Sequence, residues 1–191
     1  MTDGDITVDG RSIKEYTKSA LTDRIGIVPQ KAVLISGTVR DNLQFGGECS
    51  ENDMYEALEI AQAYDFIAEK GGLDARVEAG GKNFSGGQRQ RLTIARAIAK
   101  KPSILILDDS ASALDYATDA RLRSAIKDAE RDTTVFIVSQ RTSSVRHADK
   151  IVVLDDGAIV GIGTHSELLA SSEVYREIYD SQFGREGEYE K

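Results

Sequence analysis

Hydrophobic and polar positions along the chain follow two periods. In residues 88–100, Leu92, Ala95, Ile98 and Ala99 recur at helical spacing and predict an amphipathic helix. Ser50 predicts the cap of another helix, running to about residue 70, with Met54, Ala57, Leu58, Ala61, Tyr64 and Ile67 or Ala68 on one face and Gly71-Gly72 as its stop. Residues 103–107 and 134–138 are continuous apolar runs, and residues 117–130 between them read as a helix. Unbroken apolar strands separated by helices predict a parallel sheet covered on both faces. Two further strands are expected at residues 6–10 and 24–28, the second ended by Pro29-Gln30. Residues 31–45 are mixed and read as loop. Near the C-terminus, residues 151–154 and 158–162 flank Asp155-Asp156-Gly157, a hairpin signal. Thr164 and Glu167 then form a capping-box pattern that opens a last helix, to about Phe183.

Composition narrows this to an ordinary α/β protein. The chain has 191 residues, enough for one domain, with 40% hydrophobic and 29% charged residues. A formal net charge of −8 argues against a nucleic-acid footprint. Part of the acidic surplus lies in the tail at residues 186–190, expected to be frayed and solvated. The single cysteine, Cys49, builds no disulfide framework and suits a reducing compartment. No apolar run approaches the ~18 residues of a membrane span. The opening residues lack the basic and apolar regions of a signal peptide.

Two stretches carry candidate chemistry. In Asn83-Phe84-Ser85-Gly86-Gly87-Gln88, Ser85 suits a helix N-cap and the two glycines leave the backbone open to a close approach. A helix N-terminus with exposed N–H groups favours phosphate, although a short glycine turn alone is ordinary. The second stretch is Asp108-Asp109, which ends an apolar strand. Acids delivered in this way can hold a divalent cation and orient water, or simply face solvent.

The order of motifs is more specific than any one of them. Val28-Pro29-Gln30 is followed by residues 36–43 (Ser-Gly-Thr-Val-Arg-Asp-Asn-Leu) and by Val77-Glu78-Ala79-Gly80-Gly81. Then come Phe84-Ser85-Gly86-Gly87-Gln88, residues 104–109, Ser112-Ala113-Leu114-Asp115, Gln140-Arg141, and Ala148-Asp149 through Gly157. The set resembles the nucleotide-binding domain of an ATP-binding cassette (ABC) transporter of the exporter class, over essentially the whole chain. The resemblance implies a single domain over residues 1–191. It would be a RecA-like P-loop NTPase parallel sheet lacking its P-loop strand, with a helical subdomain at about residues 46–101 that faces the membrane domain. It implies ATP and Mg²⁺ as cofactors. Gln30 and Asp108 would stand near the metal. Ser85, Gly86, Gly87 and Gln88 would be the signature that contacts the γ-phosphate of ATP held by an opposite subunit, and Asp115 would lie in the loop along that dimer interface. Implied partners are a second nucleotide-binding domain and a transmembrane domain, at the cytoplasmic face of the plasma membrane.

Three departures from the family pattern shape the expected function. Asp109 replaces the glutamate that acts as base, so its carboxylate is withdrawn by about 1.5 Å, one C–C bond; a ~1 Å misplacement can cost about 10²-fold. Gln140 replaces the switch histidine. Glutamine can bond a γ-phosphate but carries neither proton nor charge. Finally, no Gly-x-x-x-x-Gly-Lys-Ser/Thr sequence occurs, which leads us to expect that the chain begins inside a longer protein. On its own it should bind ATP weakly and be inactive. Open edges are expected on the strands of residues 134–138 and 151–154, where the missing strand would lie. The signature is intact except for Phe84 in place of leucine. This combination resembles the degenerate-site half of a heterodimeric exporter. Alternatives are a non-catalytic regulatory fragment and a soluble ABC ATPase unconnected with transport. His147 and His165 read as structural.

Overall fold

The computed structural model describes residues 4–110, 112–129 and 132–184. The predicted acidic tail, the opening three residues and the predicted helix end at Glu130 lie outside them. The chain divides after Val138 into two compact units.

In the first unit a hairpin of β1 (Thr7–Val8) and β2 (Arg11–Ser12) precedes α1 (Lys18–Arg24) and β3 (Ile25–Val28). Next come β4 (Gly37–Thr38), α2 (Val39–Gln44), α3 (Glu51–Ile60), α4 (Tyr64–Glu69) and β5 (Arg76–Val77). The unit closes with α5 (Gly86–Ala99), β6 (Ile104–Asp108), α6 (Tyr116–Asp128) and β7 (Thr134–Val138). Strands β3, β6 and β7 form a parallel sheet in that order, with Ile27, Ile106 and Phe136 in register. Helix α5 lies close against β3: a Cβ at Gly26 would stand 2.8 Å from the Ala97 carbonyl oxygen.

The parallel sheet matches expectation, but its coverage does not. Side chains alternate across a strand. On one face Val28, Leu105 and Leu107 are at most 3% exposed, whereas on the other Ile27, Phe136 and Val138 are 54–58% exposed. Continuous hydrophobicity therefore does not report two covered faces among the described residues. The outer edge of β7 carries no partner strand there either.

The sequence also understates the helical layer. Residues 31–45, expected as loop, include α2, closed by a capping box between Thr38 and Asp41. Asn42 is fully buried. It accepts from the Ile35 N–H at 3.0 Å and donates to the Ile35 and Thr38 carbonyls, each at 2.9 Å. Periodicity missed this helix because it is less than two turns long and holds a buried polar residue. The single helix expected over residues 50–70 is two, α3 and α4. Gln62 has a φ of 55°, and the Ala63 and Gln62 N–H groups donate to the Leu58 and Glu59 carbonyls at 2.7 and 2.9 Å. That is the Schellman pattern with glutamine where glycine is usual. Arg91 of α5 donates to the Gln62 carbonyl at 2.6 Å and fixes the break. Gly71 and Gly72, both with positive φ, then stop the chain as expected.

The second unit holds α7 (Thr142–Val145), the hairpin β8 (Ile151–Asp155) and β9 (Ala158–Gly163), then α8 (His165–Ser171) and α9 (Glu173–Phe183). The hairpin expected around Asp155-Asp156-Gly157 forms, and Asp156 and Gly157 both take positive φ, as a two-residue turn demands. The Thr164–Glu167 capping box opens α8. The expected single last helix is broken at Ser172, whose extended backbone ends α8 and whose hydroxyl accepts from the Tyr175 N–H at 3.2 Å to start α9. Serine favours such caps over helix interiors. Ile151, Val153, Leu168 and Tyr175 make this unit's core. Strand β8 pairs with β9 alone among the described residues.

Candidate functional site

The Ser85–Gln88 turn is built by local hydrogen bonds. Ser85 has extended backbone and caps α5. Its hydroxyl accepts from the Gln88 N–H at 3.2 Å, while the Gln88 side-chain oxygen accepts from the Ser85 N–H at 3.0 Å. Two N–H groups at the helix start are thus satisfied reciprocally. A hydroxyl that accepts here still owns a hydrogen it can offer to a phosphate oxygen. Gly86 has open space where a Cβ would stand. A Cβ at Gly87 would come within 3.3 Å of the Ala113 carbonyl, so this glycine lets the turn sit against the segment that leads to Asp115.

Phe84 is 3% exposed. Its ring meets Phe66 of α4 edge-on, with centroids 6.1 Å apart. The Lys70 ammonium lies over it, and Arg89 donates to its carbonyl at 2.7 Å. Phenylalanine at this position is thus a packed core residue. Arg91 lies over Phe66, and burial holds its guanidinium below the ordinary arginine value, opposed by the charge of Asp115.

Asp115 caps α6 through both carboxylate oxygens. It accepts from the Thr118 N–H at 2.9 Å and the Thr118 hydroxyl at 2.7 Å, and these bonds hold its pKa below the usual carboxylate value. Its role in the structure is to start a helix at the end of the Ser112–Asp115 segment.

The acid end is assembled differently. Asp108 is the exposed last residue of β6. Asp109 follows in the left-handed region, with φ 44°. It is held at four points: its N–H donates to the Val138 carbonyl at 2.8 Å, and its carbonyl accepts from the Ser112 hydroxyl at 2.8 Å and the Ser112 N–H at 3.2 Å. Its carboxylate accepts from the Gln30 amide at 3.2 Å. The structure therefore joins Gln30 to Asp109 across 79 residues. The left-handed backbone also supplies a reason for aspartate, which tolerates that region better than most side chains. Ser112, which fixes the Asp109 backbone, carries no signal that sequence reading separates from its neighbours.

Whether these groups suit a cation follows from donor chemistry. Among the described residues no cluster of three or more His, Cys, Asp or Glu side chains forms a metal cage. A strand-end carboxylate and a carboxamide oxygen are hard-oxygen donors of the kind that suits Mg²⁺, which takes few protein ligands and completes its shell with phosphate and water.

Gln140 lies in the second unit. Its carbonyl accepts from the Gln182 side-chain amide of α9 at 2.7 Å. The carboxamide oxygen of Gln182 accepts from the Thr142 N–H at 2.9 Å and the Thr142 hydroxyl at 3.0 Å. Sequence reading did not find Gln182, because its partners lie about 40 residues away and nothing in α9 announces them. Of the two histidines, His165 bonds the Tyr175 hydroxyl through Nδ1 at 2.9 Å, and His147 bonds Arg146 through Nε2. No helix among the described residues is long and apolar enough to cross a membrane.

Comparisons with known proteins bear on the family. Residues 1–112 match the family described as ABC transporter. Uncharacterized ABC transporter ATP-binding proteins of Mycobacterium bovis and Mycobacterium tuberculosis are 46% identical over 95% of this chain and 32% of their own length. An ATP-dependent lipid A-core flippase of Photobacterium profundum is 40% identical with the same coverages. A solved structure, a bacterial Atm1-family ABC exporter with ATP bound, superposes with a TM-score of 0.89 at 34% identity, over 95% of this chain and 32% of that one. The chain thus spans about a third of the length of these relatives. On these grounds it belongs to the ABC transporter family, within its ATP-binding domain.

Proposed function

We propose that this chain is the ATP-binding module of one half of a heterodimeric exporter, at the cytoplasmic face of the membrane. Its signature turn serves an ATP site completed by the partner domain, and its own site holds ATP and hydrolyses it slowly. The observation that carries this reading is the contrast between Ser85–Gln88 and Asp109. The first is closed by a capping box and packed through Phe84. The second is a short acid whose backbone is pinned and whose carboxylate already accepts from Gln30.

In that reading Asp108 and the amide oxygen of Gln30 would hold Mg²⁺, which would offset the negative charge of the nucleotide phosphates. Asp109 lacks the reach to orient water as a glutamate would. Gln140 offers a hydrogen bond to the γ-phosphate and no proton. Ser85, with the backbone of Gly86 and Gly87, faces the partner's nucleotide, and the Asp115 cap holds the neighbouring interface segment. A chromosome-acting ABC ATPase fits less well. Between Gln30 and Ser85 the described helices are short, the longest having 10 residues, where such proteins need a long coiled coil.

The test installs Asp109→Glu with Gln140→His in the assembled heterodimer. A rise in basal hydrolysis, or its redistribution between the two sites, is expected. An unchanged rate and distribution would sink the proposal.

A further inference from the structure

The segment around Gln140 is held by a residue that no motif assigns. Three hydrogen bonds from one side chain span it: Gln182 donates to the Gln140 carbonyl and accepts from both the N–H and the hydroxyl of Thr142. Ser139 adds a fourth restraint, its hydroxyl accepting from the Arg141 N–H at 3.0 Å. Thr142 is 3% exposed, so its N–H has little access to water and needs this acceptor. Arg141, the residue just before α7, makes no side-chain cap to the helix, and Gln182 supplies that cap from α9. Helix α9 is itself anchored. Tyr179 stacks on Phe183 at 4.8 Å between centroids and meets the His165 ring at 5.4 Å, while Tyr175 is buried and bonded to His165.

A carboxamide is well matched to this task. It has a donor on one side and an acceptor with two lone pairs on the other, so it can hold a carbonyl and an N–H two residues apart at once. We propose that Gln182 is a positioning residue. It fixes the backbone on both sides of Gln140 and thereby aims the Gln140 side chain at the γ-phosphate. This inference rests on the reading of Gln140 given under the proposed function. It ties the C-terminal helix to nucleotide recognition, and it gives α9 a part in telling ATP from ADP.

The experiment uses an assembled exporter that carries this chain as one of its ATP-binding segments. The chain's own subunit is photolabelled with azido-ATP, and unlabelled ATP or ADP is used as competitor. Gln182→Ala should raise the ATP concentration needed for half-competition by about threefold to tenfold, the scale of losing one or two hydrogen bonds. The ADP concentration should move less than about twofold, because only ATP offers a γ-phosphate. A merely structural defect would weaken both nucleotides alike. Gln182→Glu keeps the acceptor for Thr142 but sets an oxygen against the Gln140 carbonyl, so it should lose the same discrimination. In a Gln140→Ala background, Gln182→Ala should add nothing. If Gln140→Ala lowers the ATP preference and both Gln182 variants leave it unchanged, the positioning role is wrong. If Gln140→Ala itself leaves the preference unchanged, the reading of Gln140 fails first.

Discussion

The Ser85–Gln88 turn and the acid end of β6 lie in the same compact unit and are made in different ways. Around Ser85, a local capping box closes the turn, and the buried Phe84 ring seats it on Phe66 and Lys70 at α4. Around Asp109, local and long-range bonds share the work: Ser112 holds its carbonyl from three residues away, while Gln30 arrives from the end of β3 and Val138 from β7. The sheet that presents Asp109 buries one face and exposes the other. A locally closed turn keeps its shape through its own contacts, whereas a site assembled partly by distant strands depends also on what holds those strands. The same contrast separates the element proposed to serve a partner from the element proposed to work slowly.

The largest test of that contrast is in the sheet. Leu105→Ala removes a side chain that is 2% exposed and should cost about 2–5 kcal/mol in urea unfolding. Phe136→Ala, from the exposed face of the neighbouring strand, should cost under about 1 kcal/mol despite the larger side chain. Equal costs would mean that the exposed face is covered in solution. The next test concerns activity. Ser85→Ala removes a fixed donor and a cap together, and in the assembled exporter it should lower ATPase activity by about 10²-fold. Asp109→Asn should change it by less than about twofold. The reverse order would place the working site on this chain's own acids.

A third test probes what held the helical layer away from its predicted shape. Gln62 occupies left-handed backbone between α3 and α4. Gln62→Val puts a β-branched side chain there and should cost about 1–2 kcal/mol, while Gln62→Gly should stay within about 0.5 kcal/mol, because relief of strain offsets the lost side-chain bond to Glu59. If valine were tolerated, the break would come from Arg91 alone.

These residues also mark how far the sequence could be read. Caps at Ser50, Ser85 and Thr164 were legible because a capping box lies within four residues, and the β8–β9 turn was legible because Asp156-Gly157 suits positive φ. Parallel pairing of β6 and β7 followed from two unbroken apolar runs. The breaks at Gln62 and Ser172 were hidden. Apolar periodicity continues through Gln62, and the left-handed turn that stops the helix there is fixed by Arg91, 29 residues on. Ser172 falls in a pattern where a serine reads equally well as helix surface or cap. The exposed sheet face was invisible for a different reason, since hydrophobicity records what a residue favours and not what lies against it. At the site, Gln30 and Asp109 were named from motif order and are joined in space. Gln182 could not be named, because a single glutamine in an amphipathic helix has no local signature.

The smallest expected effect follows pH. Asp53 caps α3 with Ser50 and pairs with Lys101, the residue just past the end of α5, so it ties the far end of α5 to α3. The Lys101 ammonium first, then the Ser50 hydroxyl and N–H, lower its pKa to about 2. A carboxylate whose folded pKa lies below its unfolded value contributes stability above the unfolded value, near 4, and loses it as pH falls toward the folded one. Its partner Lys101 is half exposed, so solvent screening limits the contribution to about 1 kcal/mol. Asp53→Asn should therefore be less stable than the parent by about that amount at pH 7, and the gap should close between about pH 4 and pH 2, followed by denaturant melts at each pH. The signature turn has no carboxylate in its capping box, only Ser85 and Gln88, so its own cap should not change over that range. A gap that stays constant down to pH 2 would show that the asparagine acts through lost packing and that the Lys101 pair contributes nothing.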